Sequence, residues 1–174
     1  MVKSQFFRLI GICILTIVFS IHSNLDAKAQ SDQENVLLVV QNVFDGINTK
    51  NGPLIESVMA KGSVLYSTGV NDKGPFFNPQ TGIQFAGSIA SATSEFHERM
   101  FETEVKIQQG VAMVWANYDF HVNGNFSHCG VDTFTLVRSV DGWKVASLVY
   151  TVERSGCKER PPFLQSRLSD QFGR

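Results

Sequence analysis

Three glycine-marked dipeptides constrain this chain more than any other feature. Gln109-Gly110, Asn123-Gly124 and Asp141-Gly142 fall between runs of apolar, β-branched and aromatic residues. An X-Gly pair, above all Asn-Gly or Asp-Gly, is the preferred chemistry of a two-residue type I′ hairpin turn. The runs at about 96–107, 111–122, 126–139 and 143–154 therefore read as four consecutive strands. Strands joined by two-residue turns must be antiparallel neighbours, so the second half of the chain is a meander.

The first half reads differently. Ser31-Asp32-Gln33-Glu34 has the spacing of a capping box. After it, Val36, Val39, Val40, Val43, Phe44 and Ile47 recur at helical intervals, predicting an amphipathic helix to about Thr49. Asn51-Gly52-Pro53 ends that helix and opens a second, over Leu54–Ala60, with proline near its first position. "GSVLYSTG" reads as a short strand. Residues 69–82, dense in Gly, Pro and Asn, read as loop, and "IQFAGSIASAT" as a third helix. Helices first and an antiparallel sheet after is an α+β layout.

The extreme N-terminus reads as an export signal. Lys3 and Arg8 precede a thirteen-residue apolar stretch, Leu9–Ile21, and Ala27-Lys28-Ala29 supplies a small-x-small cleavage pattern. The stretch is short of the roughly 20 residues that a membrane span needs. Cleavage after Ala29 leaves one domain at 30–157 and a polar tail at 158–174 that opens on Pro161-Pro162. The expected location is secreted or periplasmic, with no membrane attachment after cleavage. The exported chain carries 12 Lys+Arg against 15 Asp+Glu, a net charge near −3 with no basic run, so nucleic acid is not an expected partner. Two cysteines remain, Cys129 and Cys157, and an even count in an oxidising compartment favours a disulfide. Regular pairing through Asp141-Gly142 puts Cys129 opposite a residue near 152–154. A bridge therefore requires the last strand to end near Arg154 and Gly156 to turn the chain back.

Helix, helix, short strand, loop, helix and long hairpins ending in "DGWKVASLVYT" resemble the nuclear-transport-factor-2-like superfamily. That group is the cystatin-like cone, which also holds SnoaL-type polyketide cyclases, ketosteroid isomerase and scytalone dehydratase. The segments "AMVWANYDF", "FSHCGVDTFTLVR" and "GWKVASLVYTV" are similar to those of exported bacterial members of uncharacterised function, and the resemblance spans about residues 33–157. It implies a strongly curved antiparallel sheet wrapped around the N-terminal helices. It also implies a pocket on the concave face and, often, a homodimer through the convex one. The superfamily includes enzymes, binders and interaction domains, so the fold alone names no reaction.

Strand alternation sorts the side chains. With Asn123-Gly124 as the turn, Asp119 falls opposite His128 and Trp115 opposite Asp132; with Gln109-Gly110 as the turn, Glu98 falls opposite His121 and Glu102 opposite Asn117. One face then carries Met113, Trp115, Phe134, Leu136, Trp143, Val145 and Val149 beside Glu98, Asn117, Asp119, His121, His128 and Asp132. The other face carries Ala112, Val114, Ala116, Tyr118, Phe120 and Leu148. A half-apolar, half-polar face suits a ligand pocket, so the tryptophan face is assigned to the interior. The reverse assignment stays open, because any β-bulge inverts one strand's parity.

On this reading Asp119 orients His128 and raises its basicity, making the pair a candidate general acid or base. Trp115, Asn117, His121, Asp132, Phe134, Trp143 and Glu98 are candidate ligand contacts. Two histidines and a carboxylate on one face could form a facial triad, but no His-x-x-x-His or Cys-x-x-Cys spacing supports it, so neither metal nor cofactor is expected. A cysteine nucleophile or a Ser-His-Asp triad fails because Cys129 and Ser127 alternate away from His128, and no Gly-x-Ser-x-Gly elbow occurs. The expected ligand is small and largely apolar, met by lyase, isomerase or hydrolase chemistry. The alternative is a non-catalytic module that dimerises through its convex sheet.

Overall fold

The computed structural model describes residues 30–157. Both the leader assigned to 1–29 and the tail assigned to 158–174 lie outside the described residues. Helix α1 spans 30–48, α2 Gly52–Val58 and α3 Gly82–Ala90; the strands are β1 Met59–Asn71, β2 Gly74–Thr81, β3 Phe96–Gln108, β4 Val111–Val122, β5 Asn125–Ser139 and β6 Gly142–Val152. They form one six-stranded sheet in the order β2-β1-β6-β5-β4-β3. All neighbours are antiparallel except β1 and β6, which run parallel.

Helix α1 lies against the inner face because its apolar stripe has nowhere else to go. Val36, Val40, Val43, Phe44 and Ile47 are all buried in one cluster with Ala112, Val114, Ala116, Phe134, Leu136, Trp143 and Val145. Phe44 meets Phe134 with ring centroids 6.1 Å apart. The helix ends in a Schellman arrangement: Lys50 takes φ 52°, the Asn51 amide donates to the Gly46 carbonyl at 2.8 Å, and the Lys50 amide to Ile47 at 3.2 Å. Asn51 then starts α2, its Oδ1 accepting from the Leu54 amide at 3.0 Å. Ser31 is not the α1 cap, since residue 30 is already helical. The second helix stops at Val58, two residues early, because Met59 already pairs with Val145 as sheet.

The segment expected to be loop, 69–82, is the largest departure. It is the end of β1, a tight turn and strand β2. Asn71 Oδ1 accepts from the Lys73 amide at 2.8 Å and Gly74 takes φ 105°, which closes the hairpin. Pro75 and Pro79 misled the reading. Each is tolerated because β2 is an edge strand, where a missing amide donor costs no ladder bond. Thr81 and Gln84 then form the capping box that opens α3.

Two of the three turns, Gln109-Gly110 and Asn123-Gly124, sit on the dipeptides read from the sequence, and the third lies one residue earlier than Asp141-Gly142. Asn123 (φ 50°) and Gly124 (φ 77°) both adopt the left-handed conformation of a type I′ turn, whereas in the last hairpin only Gly142 does, after a turn centred on Val140-Asp141.

Three bulges change the parity deduced from those turns. In β3 the pairing shifts between Phe101 and Glu104, with Glu102 at φ 49°. In β5 Ser127 is the extra residue, between His121↔Phe126 and Phe120↔His128. In β6 Ala146 is skipped. Asp119 is therefore opposite Cys129 and Arg99, not His128; Glu98 is opposite Phe120, not His121; Trp115 is opposite Thr133, not Asp132. Val149 faces outward, and Leu148 takes its place in the core.

The disulfide is present. Cys129 and Glu153 exchange backbone hydrogen bonds of 2.9 and 2.8 Å, Gly156 turns the chain back at φ 76°, and Cys129 meets Cys157 with α-carbons 6.0 Å apart.

Candidate functional site

The bulges sort the expected site residues into two groups. Phe134, Trp143, Asp132, His128 and Glu98 are on the inner face, as expected. Trp115, Asn117, Asp119 and His121 are on the outer face, with Met113, because the extra residue at Ser127 inverts β4 relative to β5. Trp115 is 45% exposed. The expected Asp119–His128 pair does not form, and the potential facial triad is split between two faces.

Phe134 and Trp143 belong to the packed end of the interior. The other end is polar. Glu98 is set there by Asn48, whose Oδ1 accepts from the Glu98 amide at 2.6 Å and whose Nδ2 donates to the Glu98 carbonyl at 2.9 Å. Two hydrogen bonds thus join the last turn of α1 to β3. Asn48→Ala is expected to cost about 1–2 kcal/mol of unfolding free energy, because it leaves both backbone groups unpaired in a half-buried place. Urea unfolding checks it.

Asp132 projects from β5 opposite Ala116 on one side and Tyr150 on the other, and is only 3% exposed. Around the two carboxyls runs a chain of rings: Phe96 to Phe120 at 5.3 Å, Phe120 to His128 at 5.0 Å, His128 to Tyr118 at 5.7 Å and Tyr118 to Tyr150 at 6.5 Å. Tyr118, expected on the other face, is brought to this one by the extra residue at Ser127. Both tyrosine hydroxyls are engaged within the protein. Tyr118 donates to the Thr151 carbonyl at 2.6 Å, and the Tyr150 hydroxyl lies against Ser67 and Gln80. Gly130 permits this geometry: a β-carbon there would collide with the Thr151 carbonyl. Gly130→Ala is expected to cost about 1–3 kcal/mol through that overpacking, read as a lowered thermal midpoint.

The electrostatics follow from burial with no counter-cation among the described residues. Desolvation, then the Asp132 charge and then that of Asp119, push Glu98 well above its ordinary 4.5. Desolvation likewise pushes Asp132 well above 3.8. Burial, and secondarily Arg154, pull His128 down to about 4, so the ring is neutral at physiological pH rather than made more basic. Burial also raises Tyr118 and Tyr150.

These shifts fix a pH dependence. Above the ordinary carboxyl range the folded chain keeps protons that the unfolded chain has released, so these carboxyls contribute stability that is lost as pH rises. His128 acts oppositely: its contribution is complete above 6.5 and is lost as pH falls towards about 4. The wild type is therefore expected to lose stability relative to a Glu98→Gln/Asp132→Asn variant as pH rises from about 4.5, with urea midpoints as the readout.

On the outer face Arg99 forks onto Asp119, with Nε at 2.8 and 3.0 Å from its oxygens and Nη2 at 2.7 Å. His121 Nδ1 lies 3.9 Å from Asp119, and His97 pairs across from His121. Asn117 Nδ2 donates to Glu102 at 3.0 Å. Among the described residues no three His, Cys, Asp or Glu side chains are grouped to hold a metal.

No family model matches the chain, and no curated protein matches it. Solved structures do. An NTF2-like protein of unknown function from Shewanella baltica superposes with a TM-score of 0.56 at 15% identity, covering 72% of this chain and 96% of its own. An NTF2-like superfamily protein from Salmonella enterica superposes at 0.59 with 10% identity, covering 74% and 96%. A candidate dehydratase of the NTF2-like family from Streptomyces avermitilis superposes at 0.57 with 17% identity, covering 73% and 99%. The fold is the NTF2-like, cystatin-like α+β cone.

Proposed function

We propose that this chain is an exported small-molecule-binding domain whose ligand meets Glu98, Asp132 and His128 on the inner face, where the carboxyls carry out general acid–base chemistry of a lyase, isomerase or hydrolase type. The observation that carries the reading is Asp132. It is 3% exposed on the inner face beside a second carboxyl, and neither side chain accepts a hydrogen bond or ion pair among the described residues. A carboxyl in that setting holds its proton towards neutral pH, which is the property a general acid needs. A candidate dehydratase and a candidate aromatic ring hydroxylase, the latter from Novosphingobium aromaticivorans, share the fold and are compatible with such use. The disulfide suits an oxidising compartment, and no helix among the described residues is long and apolar enough to cross a membrane.

Carbon-detected NMR titration tests this. Glu98 and Asp132 are expected to titrate well above the ordinary carboxylate range, and apolar fragments to shift the amides of Phe120, His128 and Tyr150. Ordinary titration midpoints, or shifts confined to the outer face, would remove the reading.

A second reading rests on the outer face, where Val111, Met113 and Trp115 on β4 and Val149 on β6, either side of β5, are between 37% and 51% exposed. Such a stripe fits a homodimer through the convex sheet. Trp115→Glu is then expected to halve the sedimenting mass and leave the carboxyl titration unchanged.

A further inference from the structure

Among the described residues the inner site is short of positive charge, and that restricts what can occupy it. Its carboxyls are Glu98 from β3 and Asp132 from β5, joined by the neutral His128 of β5. Asp119 adds a further negative charge to Glu98 from the outer face. Arg99 leaves β3 on the outer side, bound to Asp119. Arg138 lies at the far end of the interior, stacked 4.5 Å over Trp143 and paired with Asp32. Arg154 reaches the Ser127 carbonyl at 3.4 Å; its charge acts on His128 but is not among those acting on Glu98 or Asp132. The tyrosine hydroxyls are spent on Thr151, Ser67 and Gln80. What remains for a ligand is two carboxyl groups and the half-buried rings of Phe96, Phe120 and Tyr150.

We infer that the ligand of this site is an organic cation, an apolar body bearing a protonated amine that seats between Glu98 and Asp132 against those rings. The inference rests on the acid–base reading for the location of the site and goes beyond it in the class of ligand. An ammonium group supplies three donors and a charge to carboxyls that lack both. Buried carboxylates are tolerable when paired, and aromatic faces attract a cation that has left water. A carboxylate or phosphate ligand would meet two acids and, among the described residues, no cation to offset them. Burial raises both carboxyls above their ordinary range, so amine binding is expected to displace protons and affinity to rise with pH.

A charge series of one shape tests this: 2-phenylethylamine, 2-phenylethanol and phenylacetate, followed on the full exported chain by amide NMR and calorimetry. The amine is expected to bind about tenfold or more tightly than the alcohol at pH 8, a ratio readable as a difference in dissociation constant. It should release protons, seen as a buffer-dependent enthalpy, and phenylacetate should leave the inner-face amides unmoved. Asp132→Asn, which keeps shape and removes charge, should abolish the preference for the amine and spare the alcohol. Equal binding of amine and alcohol, an amine preference that survives Asp132→Asn, or no inner-face shift with the amine at millimolar concentration each overturns the inference. Elevated carboxyl titration with an alcohol that binds best would leave the acid–base reading standing and sink only the cation. Ordinary carboxyl titration would sink the acid–base reading by itself.

Discussion

Replacing Arg99 by alanine is expected to remove about 2–4 kcal/mol from the unfolding free energy, a large effect for an outer-face residue. The reason is its partner. Asp119 is 3% exposed and accepts three guanidinium hydrogen bonds, with His121 at 3.9 Å as its other ion-pair contact among the described residues. Removing the guanidinium leaves a carboxylate in a place built for a pair. The figure is set below that for a sealed pair because the Arg99 side chain is 31% exposed and water softens the loss. The control is the double variant Arg99→Ala/Asp119→Ala, which leaves no stranded charge and should recover most of the loss. Urea unfolding followed by circular dichroism gives both numbers. A single-variant loss below about 1 kcal/mol would mean that the pair behaves as an ordinary surface ion pair.

The disulfide carries an effect of similar size by a different route. Cys129 and Cys157 are 28 residues apart, and closing such a loop in the unfolded chain is worth about 3–4 kcal/mol in the chain-entropy account. A Cys129→Ala/Cys157→Ala chain is expected to lose about that much in guanidinium unfolding. A second readout separates the bridge from mere loss of a buried residue. The bridge holds the 153–157 segment over the start of β5, keeping Arg154 near His128, whose value it helps lower to about 4. Without the bridge the His128 titration should move upward, towards 6.5. An unchanged His128 titration would show that Arg154 is held there by something else.

Much of the fold was legible because its signals are local. Glycine turns fixed the ends of four strands to within a residue or two, and the stripe from Val36 to Ile47 found the central helix. The β2 strand was not, since proline and glycine mark loops and edge strands alike, and only the sheet order tells them apart. The site was half legible. Alternation along β5 and β6 put Asp132, His128, Phe134 and Trp143 inside, where they are. The same alternation failed on β4 because the bulges at Glu102 and Ser127 carry no Gly, Pro or Asn of their own. One clue was in the sequence. Had Arg99 been set opposite Asp119 by charge complementarity across strands, the shift in β3 would have followed, and with it the separation of Glu98 from Asp119 onto the other face. The large exposed Trp115 argued the other way, since a tryptophan is more readily placed in a core than at a surface.

The extra residue at Ser127 can also be seen as the device that gives this sheet two independent chemistries. Asp119 and Asp132 are both 3% exposed on adjacent strands, yet one is forked by an arginine and the other sits among rings, its carboxyl raised by burial. A single residue of slippage assigns them to opposite sides of a partition one backbone thick. A chain that lost Ser127 would not merely weaken a hairpin. It would bring Asp119 round to the His128 side, exchange acid for ion pair, and put the tryptophan stripe of β4 where the helices now pack.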